Sequence, residues 1–86
     1  MNDQQNIIGA LAMDLKRVAM STFNGSDIVA DRFWKEAQKR KSEIEMPKVP
    51  GYIENLLNNL NNKKDYERLL MYSILLQNYS QNGKQK

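Results

Sequence analysis

Apolar side chains recur at intervals of three and four residues through most of this chain, and that spacing restricts what it can fold into. From Ile8 onwards they fall at Leu11, Leu15 and Val18, which places them on one stripe of an α-helix. No stretch alternates apolar and polar residues over the length of a strand. The pattern predicts an all-α protein, a compact four-helix bundle or array without strands.

Capping residues and prolines predict where the helices begin and end. Asn24-Gly25 suits the C-terminal cap of the first helix, Pro47 stops the second, and Pro50 suits the first turn of the third. Asparagine-rich sequence near residues 61–64 predicts a break between the third and fourth helices, although no glycine or proline enforces it. We expect helices over about 3–22, 26–45, 50–61 and 64–79, in one domain (1–86) with a polar frayed tail at 80–86.

Pairs of alanines predict how the first two helices pack. Ala12 and Ala19 are seven residues apart in the first helix, and Ala30 and Ala37 are seven apart in the second. Small side chains at that spacing let helix backbones approach closely. We therefore expect the first two helices to form an antiparallel hairpin along these alanines.

The residue types that are missing exclude many functions. The chain has no histidine and no cysteine, which excludes disulfides, thiolate zinc sites and any serine-histidine or cysteine-histidine relay within one chain. Its carboxylates are scattered, and no EF-hand loop or glycine-rich phosphate loop is present. We expect no catalytic residue, no cofactor and no metal site, and hence a protein that is not an enzyme.

The N-terminal sequence and the apolar runs predict a cytoplasmic protein without a membrane role. Met1 to Gln5 is not a basic region followed by an apolar one. The longest apolar run, 69–76, is interrupted by Ser73 and is far shorter than the ~20 residues that span a bilayer. The abundance of asparagine, glutamine and lysine is typical of a small microbial protein.

A basic cluster in the second helix offers one functional hypothesis. Five cations and a single acid, Glu36, lie between residues 32 and 41, so this segment carries a net charge of +4. Such a helix suits nucleic acid or another polyanion. The alternative is a solvated helix end, because cations near a C-terminus are favoured by the helix dipole. The residues of the polyanion hypothesis are Arg32, Lys35, Lys39, Arg40 and Lys41.

The fourth helix offers the leading hypothesis, because its apolar residues point in nearly every direction. Such a helix is either a central helix wrapped by the others or a helix that carries an interface. Two methionines also lie opposite the main stripe of the first helix. We therefore expect a small helical module that binds another protein or itself as a homodimer. The candidate interface residues are Leu70, Met71, Ile74, Leu75, Met13 and Met20.

Overall fold

Four α-helices form most of this chain in a computed structural model, which describes residues 3–84 and the side chains of residues 4–81. A single 3-10 turn, Met46–Lys48, lies between the second and third helices, and no strand occurs between residues 3 and 84. The all-α prediction is confirmed. The helices are α1 (Asp3–Phe23), α2 (Asp27–Ser42), α3 (Gly51–Asn58) and α4 (Tyr66–Lys84).

The turn between α1 and α2 forms as its sequence predicts. Gly25 has a φ of +80°, in the left-handed region that favours glycine. The amide of Ser26 donates to the carbonyl of Ser21 at 2.8 Å, and the amide of Gly25 donates to that of Thr22 at 3.1 Å. These two bonds make a Schellman cap, which satisfies carbonyl groups at the end of α1. Ser26 occupies the N-cap position of α2, but its side chain makes no capping hydrogen bond.

Two helices, α2 and α3, end earlier than the sequence predicts. α2 stops at Ser42 instead of 45, because the amides of Glu43 and Ile44 donate to carbonyls three residues back and tighten the chain. α3 stops at Asn58 instead of 61, and Pro50 is its N-cap rather than a first-turn residue. Residues 59–65 then separate α3 from α4, as the asparagine-rich sequence predicts.

α4 ends later than the sequence predicts, at Lys84 instead of residue 79. Ser80, the first residue of the predicted tail, is 4% exposed and its Oγ donates to the carbonyl of Gln5 at 2.8 Å. Packing against α1 therefore keeps the chain helical beyond residue 79. Residues 85 and 86 of the predicted tail lie outside the described residues.

α1 is the central helix of the bundle, since it packs extensively against both α2 and α4. The apolar stripe of α1, from Ile8 to Val18, is fully buried, as its spacing of three and four residues predicts. α3 and α4 close the other side of the core with side chains that are also buried. The largest fully buried side chains are Ile8, Leu11, Leu15, Val18, Ile53, Leu57, Leu69 and Leu76.

α1 and α4 approach each other closely at Gly9. A Cβ placed on Gly9 would lie 2.8 Å from the Oγ of Ser80, so a larger residue here would displace the Ser80 side chain. All four alanines of the predicted hairpin are buried. Ala12, however, lines a groove with residues of α4. The prediction assigned Ala12 to the α2 side, whereas its small side chain serves the contact with α4.

Candidate functional site

Large apolar side chains are exposed along neighbouring sides of α1 and α4, on a surface that we call the α1/α4 face. On α1 the exposed fractions are 42% for Met13, 48% for Met20 and 64% for Phe23. On α4 they are 52% for Met71 and 55% for Ile74. α1 and α4 run antiparallel, because Phe23 contacts Tyr66 while Gln5 contacts Ser80. The α1/α4 face comprises Met13, Lys16, Met20, Phe23, Leu70, Met71 and Ile74.

A groove runs along this face where α1 meets α4. Its floor is formed by small side chains, Ala12 and Ser73, and Lys16 borders it on the α1 side. The hydroxyl of Ser73 donates to the carbonyl of Leu70 at 2.6 Å, so it presents no free donor to the groove. The α4 residues that line the groove are Leu70, Ser73, Ile74, Gln77 and Asn78.

α4 leaves an apolar arc in solvent because it buries only one stripe. Leu69, Leu76 and the two serines point inward. Ile74 and Leu75 point 100° apart and are both exposed, Leu75 by 41%, with Met71 between them. α4 is therefore not a helix wrapped on every side. Of the predicted α4 residues, only Leu70 is half-buried.

Two residues of this face, Lys16 and Phe23, were missed by sequence reasoning. Phe23 continues the spacing of Met13 and Met20, which are seven residues apart, by a further three. That spacing was the available signal, but Phe23 also lies at the helix end, where an aromatic residue is commonly buried. Its ring instead contacts Tyr66 edge-on at a centroid distance of 5.4 Å and stays largely exposed.

The basic residues of α2 divide into two groups with different surroundings. Arg32, Lys35 and Lys39 are exposed and share the outward side of the helix. Arg40 turns towards α1, where its Nε donates to Oδ2 of Asp14 at 2.7 Å, and Lys41 is half-buried on another side. The structure therefore does not bring all five predicted polyanion residues onto one surface.

Asp14 is the centre of an ion-pair network between α1 and α2. Its side chain is 4% exposed and lies within 2.7 Å of Arg40 and 3.7 Å of Arg17. Arg40 also lies 3.7 Å from Glu36. The guanidinium of Arg17 stacks over the ring of Phe33, 5.4 Å from its centroid, which adds a cation–π contact. These groups neutralise one another and hold the two helices together.

Two further ion pairs shift pKa values at the surface. The hydrogen bond from Lys63 to Asp31 is the main cause of a lowered pKa at Asp31, opposed by partial desolvation. This pair joins α2 to the segment between α3 and α4. The hydrogen bond to Glu45 raises the pKa of Lys48, and the two groups are 2.7 Å apart.

The described residues contain neither a metal cluster nor a membrane-spanning helix. Between residues 3 and 84, no group of three or more acidic side chains comes together to hold a metal ion. In the same part of the chain, no helix has the length and apolar character needed to cross a membrane. Comparison with known proteins gave no match to a family model, to a curated protein or to a solved structure.

Proposed function

We propose that this chain is a small helical interaction module that associates with a second copy of itself through the α1/α4 face. The observation that carries the proposal is the exposure of Met20, Met71 and Ile74 on adjacent helices, each by about half of its surface. Contiguous apolar patches of several hundred Å² are uncommon on stable monomers and usually mark an interface.

The size of the face limits the interface that it can form alone. A standard interface buries about 800 Å² on each partner, and the whole chain exposes 5544 Å². At 1.5 Å per residue the α1/α4 face follows about 15 Å of α1, from Met13 to Phe23, and its groove follows about 12 Å of α4, from Leu70 to Asn78. A standard dimer would therefore also bury the polar residues that border the face.

The distribution of charge favours a second copy as the occupant. The charged groups next to the apolar residues of the face are Lys16 and Arg17 on α1, of which Arg17 pairs with Asp14, and Glu67 on α4, so charges of both signs border the face. The exposed cations of α2 lie on a different helix. Two copies can therefore join these faces without opposing strong like charges. The methionines add adaptable contacts, and two-fold dimers are the commonest oligomers.

The proposed module acts without catalysis in the cytoplasm. A sequence without histidine lacks the commonest general base near neutral pH. A sequence without cysteine suits a reducing compartment.

The test is a pair of matched substitutions measured by light scattering after size exclusion. The chain has a mass of 10.0 kDa, so the wild-type protein should elute with twice the monomer mass at micromolar concentration. Ile74→Glu buries a charge in the proposed interface and should halve that mass. Ile28→Glu makes the same chemical change at an isoleucine that is 80% exposed on α2, and it should leave the dimer intact.

Three outcomes would contradict the proposal. A monomer mass for the wild-type protein up to 100 µM would exclude self-association at this face. A dimer that survives Ile74→Glu would place the interface elsewhere. Equal disruption by both substitutions would show a general effect of added charge rather than loss of the α1/α4 contact.

A further inference from the structure

The outward side of α2 carries a line of cations that the fold does not use. Arg32, Lys35 and Lys39 are spaced by three and four residues, so they point in nearly the same direction. Ile28 lies four residues before Arg32 on that side and is 80% exposed. We call this set, Ile28, Arg32, Lys35 and Lys39, the α2 outer face.

These cations differ from most others in the described chain. Arg17, Arg40, Lys48, Lys63 and Arg68 each form an ion pair with a carboxylate. No such ion pair is described for Arg32, Lys35 or Lys39, although Lys35 contributes to the field at Asp31. The α2 outer face therefore presents three exposed cations without a described ion pair over about 10 Å of helix.

We infer that the α2 outer face binds the phosphate backbone of duplex nucleic acid, without reading its sequence. A duplex carries one negative charge per ~1.7 Å of its axis, so three aligned cations can each meet a phosphate. When one α2 outer face neutralises three phosphates, the logarithm of affinity falls against the logarithm of salt concentration with a slope of about −2.7. Affinity should then fall about 40-fold between 50 and 200 mM salt.

The surroundings of the α2 outer face favour nucleic acid over a membrane surface. A helix that lies in a membrane interface needs a wide apolar side facing the lipid. The apolar side of α2, with Ala30 and Ala37, is buried in the protein core. Ile28 alone cannot anchor the helix in lipid, whereas the cations suffice for phosphate contacts.

The experiment measures binding of the full chain to a fluorescent 20-base-pair duplex of mixed sequence, by anisotropy between 20 and 200 mM salt. Arg32→Gln with Lys39→Gln should reduce the slope to about −0.9, so that affinity falls only three- to fourfold between 50 and 200 mM. The charge-matched control is Lys48→Gln with Arg68→Gln, which removes two cations from other surfaces and should keep the wild-type slope. Anionic vesicles of phosphatidylcholine and phosphatidylserine serve as the competing surface.

The two substitutions at isoleucine separate this inference from the proposed dimer. Ile28→Glu adds a negative charge to the α2 outer face, so it should weaken duplex binding while leaving the mass unchanged. Ile74→Glu should halve the mass but keep the affinity of each face for duplex. Any of three results would overturn the inference. These are an equal reduction of the salt slope in the charge-matched control, no duplex binding at 20 mM salt, and binding to the anionic vesicles alone.

Discussion

The central helix α1 is held to its two neighbours by different kinds of contact. On the α2 side, the nearly buried carboxylate of Asp14 meets the guanidinium of Arg40 at 2.7 Å. On the α4 side, Gly9 lies directly against Ser80, which donates its hydroxyl hydrogen to a carbonyl of α1. One contact depends on paired charge and the other on the absence of a side chain.

This difference shows that different residues of α1 hold α2 and α4 in place. A charge pair tolerates some variation in distance, because long side chains adjust. A glycine contact tolerates less variation, because an added carbon must displace the side chain packed against it. We therefore expect the α1–α2 contact to respond to changes of charge and the α1–α4 contact to respond to changes of volume.

The largest effect is expected at the α1–α2 contact, and it should be asymmetric. Arg40→Ala leaves the carboxylate of Asp14 buried with only Arg17 at 3.7 Å, and it should lower the free energy of unfolding by about 3 kcal/mol. Asp14→Ala leaves Arg40, whose side chain is 36% exposed and can turn to Glu36 or water. That change should cost about 1 kcal/mol. Urea unfolding followed by circular dichroism measures both.

The double variant Asp14→Ala with Arg40→Ala is the control for that asymmetry. It removes both charges, so its effect should be smaller than the sum of the two single effects. An equal or larger loss for Asp14→Ala than for Arg40→Ala would mean that the buried carboxylate does not depend on its partner.

A smaller change in the free energy of unfolding is expected at the α1–α4 contact. Whether that change is a loss or a gain depends on Ser80. In the wild-type background, Gly9→Ala forces its Cβ against the Oγ of Ser80 and should lower the free energy of unfolding by about 1 kcal/mol. In the Ser80→Ala background that oxygen is gone, and alanine is the better helix former, so the same change should add about 1 kcal/mol. The urea midpoints of the four proteins give the result. The same sign in both backgrounds would contradict the proposed close contact.

The smallest effect is expected at the ion pair between Asp31 of α2 and Lys63 in the segment before α4. The pKa of Asp31 is lowered in the folded protein by Lys63, so the pair stabilises the fold above the ordinary pKa of aspartate. That stabilisation is lost as the pH falls through the lowered pKa. Asp31→Asn should therefore lower the urea midpoint of unfolding at pH 7, and it should lower that midpoint less at pH 3. Lys63→Gln should reproduce this pattern, and a shift that is equal at both pH values would contradict it.

The fold could be predicted from the sequence because its signals are local. The stripe from Ile8 to Val18, the Asn24-Gly25 cap and the asparagine-rich break each depend on residues that are near one another in the chain. The later end of α4 could not be predicted this way. It depends on Ser80 meeting Gln5, which is 75 residues earlier, and no local pattern marks that pairing.

The candidate surfaces could be predicted only in part. The apolar residues all around α4 predicted that some of them lie outside the core, and Met71, Ile74 and Leu75 are exposed. The basic run in α2 predicted that a surface of this helix is positively charged. It did not predict which of the five cations lie on that surface. Which cations remain free depends on the position of Asp14 on another helix, and Arg40 is removed from the set by that contact.

The two contacts of α1 also differ in how far apart along the chain their partners lie, which sets an order of assembly. Asp14 and Arg40 are 26 residues apart, whereas Gln5 and Ser80 are 75 apart. Closing the longer loop costs about 1 kcal/mol more in chain entropy, so we expect the α1–α2 hairpin to form first and α4 to dock later. On the ribosome this delay is enforced, because α1 emerges well before Ser80 is synthesised. During that interval the Gly9 side of α1 is open to water.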